Sequence, residues 1–353
     1  MLSRYILLMS LSTGLVTGLI LGILTNLSIS TENTNPSDYS TRRVLYNPKY
    51  TESEQYSNEE DENSENDSQL LMQDDYALHN DDDRIAQKLK ESVRVLCWIM
   101  TSSSTLQKKA LHVRNTWGRH CNILLFMSDT PDPEFPAIGL GTDLGREHLT
   151  AKTMKAFDYV YKNYLNDADW FLKADDDTYV VVENLRYMLN AHAPSEPIYF
   201  GHRFHVIVKQ GYNSGGAGYV MSKEALRRFG KRTSHLCASD RGAEDVNIGR
   251  CLERLRVHAG DSLDRLNRSR FHCFPPSLHL SGRYPSWFFK YDAYGGQKGI
   301  DSISDYPISF HYVSTDLMYE MEYMFYHLST YGIIRGLQSL NRPIVADDRS
   351  ERW

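Results

Sequence analysis

The sequence predicts an α/β fold, a sheet with parallel crossovers and helices packed against it, and three observations carry that prediction. Along residues 93–182, short apolar runs of strand length alternate with segments whose apolar side chains recur every three or four positions. Their order is strand, helix, strand, loop, helix, strand, as in a chain that returns to one sheet through helical crossovers. The third observation is Asp175-Asp176-Asp177, set inside Trp170-Phe-Leu-Lys-Ala-Asp-Asp-Asp-Thr-Tyr-Val-Val-Val182 where a buried strand surfaces. That position is the carboxyl end of a strand, the rim at which open α/β sheets place ligands.

The elements follow in order. Val93-Arg-Val-Leu-Cys-Trp-Ile-Met100 reads as a buried strand by composition and length. A helix is expected next, with Leu106, Ala110, Val113 and Trp117 on one face. Asn122-Ile-Leu-Leu-Phe-Met127 is the second strand, ending at Ser128-Asp129, and a Pro-rich loop runs through Pro136. Met154, Phe157, Tyr161 and Tyr164 mark the helix that leads into the triple-Asp strand. Gly211-Tyr-Asn-Ser-Gly-Gly-Ala-Gly-Tyr-Val220 lets the backbone approach a ligand closely, although a plain loop reads the same way. Its spacing is not that of a dinucleotide fingerprint. Ser222 caps a helix whose inner face carries Ala225, Leu226 and Phe229, and Glu244-Asp245 heads another. Ser309-Phe-His-Tyr-Val313 reads as a strand, and from about Arg335 to Trp353 a polar tail is expected to be mobile.

The net charge of −6 over 353 residues is unevenly spread. Residues 1–30 contribute only Arg4, whereas residues 31–83 hold three basic against fifteen acidic side chains, a net of −12. The rest is therefore mildly basic, at +5. It carries no basic run or nucleic-acid motif, so nucleic acid is not an expected partner. Tyr5 to Thr25 has no charged residue, and as a helix would span about 31 Å, the thickness of a bilayer core. With no small-residue cleavage site in view, it reads as an uncleaved signal-anchor. Charge bias leaves residues 1–4 cytosolic and the remainder luminal. Residues 26–83, rich in Asn, Ser, Glu and Asp, bury too little apolar area to fold, and form an acidic disordered stem. Residues 84–334 make the folded domain. Asn66-Asp-Ser and Asn267-Arg-Ser fit the glycosylation sequon, and Asn26-Leu-Ser lies close to the membrane. Five cysteines, Cys97, Cys121, Cys237, Cys251 and Cys273, leave at least one unpaired, and none has the spacing of a zinc site.

Three adjacent carboxylates repel one another and need a cationic partner. Hard divalent ions provide one, and an ion held by one or two carboxylates with room for phosphates outlines a nucleotide site. A bare acidic run is more often a solvated turn, but the apolar flanks argue for the strand end. An aspartyl-phosphate enzyme fits poorly, because Tyr179 stands where it would place Thr or Val. Glu244-Asp245 could be acidic residues favoured by a helix dipole. The Trp287, Phe288, Phe289, Tyr291 and Tyr294 cluster could be core packing, and His311 alone is more often structural than a ligand.

Taken in order, His112-Val-Arg-Asn-Thr-Trp-Gly118, Trp170 to Val182, Ile198-Tyr-Phe-Gly201, Lys209 to Tyr219, Glu244-Asp245 and Ser309 to Val313 resemble the β1,3-glycosyltransferases, and among them the core 1 β1,3-galactosyltransferases. The match runs from about Val93 to Gly332. The resemblance implies a GT-A nucleotide-sugar fold, with a Rossmann-like mixed sheet and helices on both faces. It implies a Golgi type II membrane enzyme that uses manganese to move galactose from UDP-galactose to the 3-hydroxyl of N-acetylgalactosamine on Ser or Thr. The expected metal ligands are Asp177, Asp175 and His311. Donor contacts fall on Asp175, Asp176, Thr101 and Arg114, with Asp175 and Asp176 near the uridine and sugar. Asp245 is the expected base, ahead of Glu244, and Trp287, Tyr212 and Gly216 are expected to meet the acceptor. An inverting transfer needs such a carboxylate apart from the metal ligands. The resemblance also pairs Cys97 with Cys121 and Cys237 with Cys251, leaving Cys273 open. Relatives carry further cysteines where this chain has Gly299-Ile-Asp-Ser-Ile303, so their pattern does not carry over whole. A homodimer and a dedicated chaperone are family expectations. Two alternatives stay open: a Fringe-like β1,3-N-acetylglucosaminyltransferase, and a non-catalytic luminal chaperone or lectin on the same fold.

Overall fold

The structure, a computed structural model of the chain, describes residues 82–233 and 235–330. The expected cytosolic tail, signal-anchor and C-terminal tail lie outside the described residues, as does the expected stem apart from Asp82 and Asp83. Among the described residues no helix is long and apolar enough to cross a membrane.

Helix α1 (Arg84–Ser92) leads into β1 (Val95–Met100), whose six residues are all buried. The helix expected over Leu106–Trp117 is broken into three pieces: a π-helical turn (Leu106–Ala110), α2 (Leu111–Asn115) and a 3-10 turn (Trp117–His120). The break leaves the apolar face intact, since Leu106, Ala110, Val113 and Trp117 are all buried. Strands β2 (Ile123–Ser128) and β3 (Ala137–Gly139) follow, then α3 (Leu149–Tyr164) and β4 (Trp170–Asp175). After the short β5 (Tyr179–Val180) come α4 (Val182–Leu189), β6 (Ile198–Gly201), β7 (Arg203–Phe204), β8 (Tyr212–Asn213) and β9 (Tyr219–Ser222). Helices α5 (Lys223–Gly230) and α6 (Glu244–Arg254) precede β10 (His258–Ala259) and β11 (Phe271–His272). The chain closes with α7 (Pro276–Ser281), α8 (Ser286–Tyr291), β12 (Ser309–Phe310) and α9 (Thr315–Tyr326).

Seven strands form the main sheet in the order β10-β6-β9-β4-β1-β2-β3. One half, β4-β1-β2-β3, is parallel, whereas β9 runs antiparallel to both β4 and β6, so the sheet is mixed. Successive side chains of a strand point to opposite faces, and β1 shows the consequence. Val95, Cys97 and Ile99 pack with Leu106, Val113 and Leu185 on one side. Leu96, Trp98 and Met100 pack with Phe157, Leu226, Phe229 and Leu252 on the other. Helices therefore cover both faces. Ser222 caps α5 as expected, its hydroxyl accepting from Ala225 N at 3.0 Å.

A small second sheet, β11-β12-β5, positions the segment that carries His311. The strand expected over Ser309–Val313 pairs only through Phe310. Tyr312 then turns left-handed at φ 56°, and Val313 N donates to the carbonyl of Asp177 at 3.0 Å. The ladder ends there, and His311 is left at the turn beside the triple-Asp loop.

Candidate active site

Strand β4 delivers Asp175 to the sheet's carboxyl edge, and β12, paired antiparallel to β5, returns His311 to the same place. One ligand atom from each of Asp175, Asp177 and His311 lies within 4.8 Å of the others. His311 Nε2 stands 3.2 Å from Asp177 Oδ1 and 4.0 Å from Asp175 Oδ2. Gly216 makes room for the imidazole, because a Cβ there would fall 2.1 Å from His311 Cε1. The glycine loop is tied down when Thr178 Oγ1 donates to the Gly216 carbonyl at 2.8 Å. Burial works against ionisation of Asp177, but the bond to His311 and the charge of Lys109 outweigh it and hold the carboxyl down at about 2. Two hard carboxylates and one imidazole are a donor set that suits manganese or magnesium.

Asp176 does not join the triad. Its Oδ2 accepts from Thr101 Oγ1 at 2.9 Å and Thr105 Oγ1 at 2.8 Å, and burial pushes its carboxyl up to about 6 despite those bonds. Thr101 sits just past β1, and its carbonyl accepts from the buried Lys152 Nζ at 2.8 Å. Arg114, on α2, lays its guanidinium 4.6 Å over the Phe135 ring.

The acid pair opens α6. Glu244 is buried, its Oε1 accepting from Tyr219 Oη at 2.7 Å and Thr153 Oγ1 at 2.9 Å. Asp245 is half-buried, with one oxygen accepting from Val246 N at 2.8 Å. Burial raises the carboxyl pKa of both residues, against the Lys173 charge at Glu244 and backbone N–H bonds at Asp245. Gly215 separates the two acidic groups: a Cβ on it would lie 2.6 Å from Glu244 Oε2 and 3.7 Å from Lys173 Nζ. Lys173 itself donates to Asp175 and, at 2.9 Å, to the Gly215 carbonyl. One buried ammonium thus connects the metal-type triad to the loop in front of the acid pair.

Of the three residues expected to meet the acceptor, Trp287 and Tyr212 lie on one aromatic seam, whereas Gly216 lies against His311 at the triad and does not join them. Trp287 is 46 % exposed on α8, and its ring centroid is 6.0 Å from that of Phe204. Tyr212, buried in β8, is 5.6 Å from the same Phe204 ring, and burial together with the Asp245 charge raises its phenol pKa. The seam therefore runs from an exposed tryptophan to the neighbourhood of Asp245.

Sequence reasoning missed the lysines. Lys173 had left a signal, a cation in the middle of an apolar strand, whereas Lys109 and Lys152 sit in helical segments with nothing to mark them. It also missed Asp129, past the end of β2, which accepts from Ser103 N at 2.8 Å and Ser103 Oγ at 2.9 Å. Disulfides join Cys97 to Cys121 and Cys237 to Cys251, and Cys273 is free and buried, as the resemblance implied.

Known proteins are similar to this sequence. The family model described as Fringe-like matches residues 91–270. A Xenopus laevis protein, glycoprotein-N-acetylgalactosamine 3-beta-galactosyltransferase 1, is 50 % identical over 258 residues, covering 71 % of each chain. A mouse beta-1,3-glucosyltransferase is 28 % identical over 181 residues, which cover 47 % of this chain and 36 % of that one. Among solved structures, a glycosyltransferase involved in glycosylating the major capsid of PBCV-1 aligns with 65 % of this chain and 99 % of its own, at 13 % identity and a TM-score of 0.36. Likeness at that level says nothing of function.

Proposed function

We infer that this chain, which belongs to the Fringe-like family and within it to the glycoprotein-N-acetylgalactosamine 3-beta-galactosyltransferases, moves galactose from UDP-galactose to the 3-hydroxyl of N-acetylgalactosamine on Ser or Thr. The observation that carries the chemistry is the separation of two acidic sites: a triad of Asp175, Asp177 and His311, and a distinct half-buried carboxylate at Asp245. The residues present fit a divalent cation, with Asp175, Asp177 and His311 to hold it. The chemistry such an ion supplies is Lewis-acid stabilisation of the departing diphosphate.

The chain's own groups do the rest. The acceptor's 3-hydroxyl oxygen forms a bond to the anomeric carbon as the bond from that carbon to the diphosphate oxygen breaks. Asp245 takes the hydroxyl proton, and UDP leaves with the bonding pair. Attack opposite the leaving group inverts the anomeric centre, which is why the base must stand apart from the triad. Glu244, buried and bonded through Oε1 to Tyr219 and Thr153, positions the head of α6. Asp176, held by Thr101 and Thr105, shapes the donor side, and Arg114 is assigned there by resemblance alone. Trp287 offers an exposed aromatic face to the acceptor sugar, Tyr212 lies buried behind it on the same seam, and Gly216 clears space for His311.

A GT-A fold is supported by the mixed sheet with helices on both faces. The two disulfides support residence in a compartment that permits them, in line with a luminal Golgi domain behind a signal-anchor. A homodimer and a chaperone remain proposals from the family. The intact triad and Asp245 argue against the non-catalytic alternative. The test is Asp245→Asn, which removes the proton acceptor and keeps the shape. UDP binding should stay within about threefold while transfer falls by roughly a hundredfold or more. Turnover close to that of the unaltered protein would move the base elsewhere.

A further inference from the structure

The π-helical turn Leu106–Ala110 takes no part in the assignments above, yet it faces the triad. Single π turns inside helices are uncommon and gather at functional sites. This one presents two groups to the carboxylates. Thr105, its N-cap, donates to Asp176, and Lys109 places Nζ 3.2 Å from Asp177 Oδ2 and 3.9 Å from Asp176 Oδ1. Since His311 stands 3.2 Å from the other oxygen of Asp177, both sides of that carboxylate are engaged. The Lys109 side chain is 42 % exposed, so its ammonium is free to swing on a flexible stem.

We propose that Lys109 couples the binding of the divalent cation to that of the nucleotide diphosphate, so that the site takes them together rather than the bare ion. The proposal rests on the donor reading given above. An ammonium and a divalent cation compete for Asp177, so Lys109 opposes an ion that arrives alone. An ion that arrives with a diphosphate brings anionic oxygens, to which the displaced ammonium transfers its hydrogen bonds. Lys109 is then a penalty on the bare metal and a contact for the metal-bound nucleotide. By linkage, UDP tightens manganese binding and manganese tightens UDP binding by the same factor. Thr105 keeps Asp176 occupied meanwhile, leaving Asp177 as the carboxylate contested by the two cations.

The test is calorimetry on the full-length chain with manganese alone, UDP with and without manganese, and uridine as a probe lacking phosphates. For Lys109→Met, manganese alone should bind about tenfold tighter, and UDP in saturating manganese about tenfold weaker, the size of one charge-assisted hydrogen bond. Uridine should be unaffected, and Lys109→Arg, which keeps the charge, should stay near the unaltered protein. The opposite signs are what a merely structural lysine cannot give. Weakening of manganese and UDP alike, or no change in either, would overturn the proposal. If the unaltered protein bound no UDP at all with manganese present, the donor reading would fail and this inference with it.

Discussion

At the scale of the residue, the account turns on how carboxylates so close together are given different tasks. Asp177 is held ionised by His311 and Lys109, with its carboxyl down at about 2, whereas burial raises that of Asp245. A base with a raised pKa is lost to protonation earlier as pH falls. The acid limb of kcat should therefore lie above the ordinary carboxylate value of 3.8, and a pH–rate profile checks it. Gly216 gives a second test at this scale. Gly216→Ala would put a methyl 2.1 Å from His311 Cε1, so the imidazole must leave its place. Manganese affinity should fall about tenfold or more while far-UV circular dichroism is unchanged, since losing the support that orients a metal-ligand side chain typically changes affinity by that order. Undiminished affinity would remove His311 from the ligand set.

Elements bring these residues together, and the most telling is α9, which follows directly on the His311 turn. Its Glu322 is buried and accepts from Arg119 at 3.3 Å, His120 at 2.9 Å and Tyr179 Oη at 2.8 Å. Tyr326, one turn on, donates to Glu183 of α4, and His120 Nδ1 lies 3.4 Å from the same Glu183. Burial alone would lower the His120 pKa, but Glu183 and Glu322 outweigh it and push it up to about 9. Burial would raise Glu183, but His120 and Tyr326 hold it down at about 2. The stability contributed by His120 is therefore complete below its ordinary value near 6.5 and lost as pH rises through about 9. That of Glu183 is complete above about 4.5 and lost as pH falls through about 2. Glu322→Ala, which strands buried partners, should cost about 3 kcal/mol or more in denaturant unfolding. Raising the pH from 7 to about 9.5 should lower Tm more in the unaltered protein than in His120→Gln, in keeping with its pKa near 9; an equal drop would contradict the pairing.

How much of this the sequence disclosed differs by kind of interaction. The strands at Val95–Met100 and Trp170–Asp175 were legible because continuous apolar runs of that length have few other fates. The grouping of Asp175, Asp177 and His311 was legible through ordered motifs, as was the acid pair at the head of α6. The π turn was not, because its apolar spacing matches an α-helix and only the hydrogen-bond register differs. The network of Arg119, His120, Glu183 and Glu322 spans about 200 residues of chain, and nothing local marks any member. Lys109 and Lys152 were invisible for the same reason: their importance lies in what faces them.

For the whole molecule, the fold brings the triad and the acid pair to either side of one glycine loop. The carboxyl end of β4 presents Asp175, with Asp176 and Asp177 just past it, and the small second sheet returns His311 to the same place. The antiparallel strand β9 follows the glycine loop, which lies between the triad and α6. On the proposed reading, donor chemistry and proton acceptance are set on either side of a single loop, with Lys173 buried and bonded to both Asp175 and that loop. The central claim is that this arrangement transfers galactose in particular. The direct measurement is the mass gained by an O-GalNAc glycopeptide incubated with the protein, manganese and either UDP-galactose or UDP-N-acetylglucosamine. The account predicts the gain of one hexose from UDP-galactose, abolished by chelator and by Asp177→Ala. The gain of an N-acetylhexosamine from the other donor, or no transfer by well-folded protein, would contradict it.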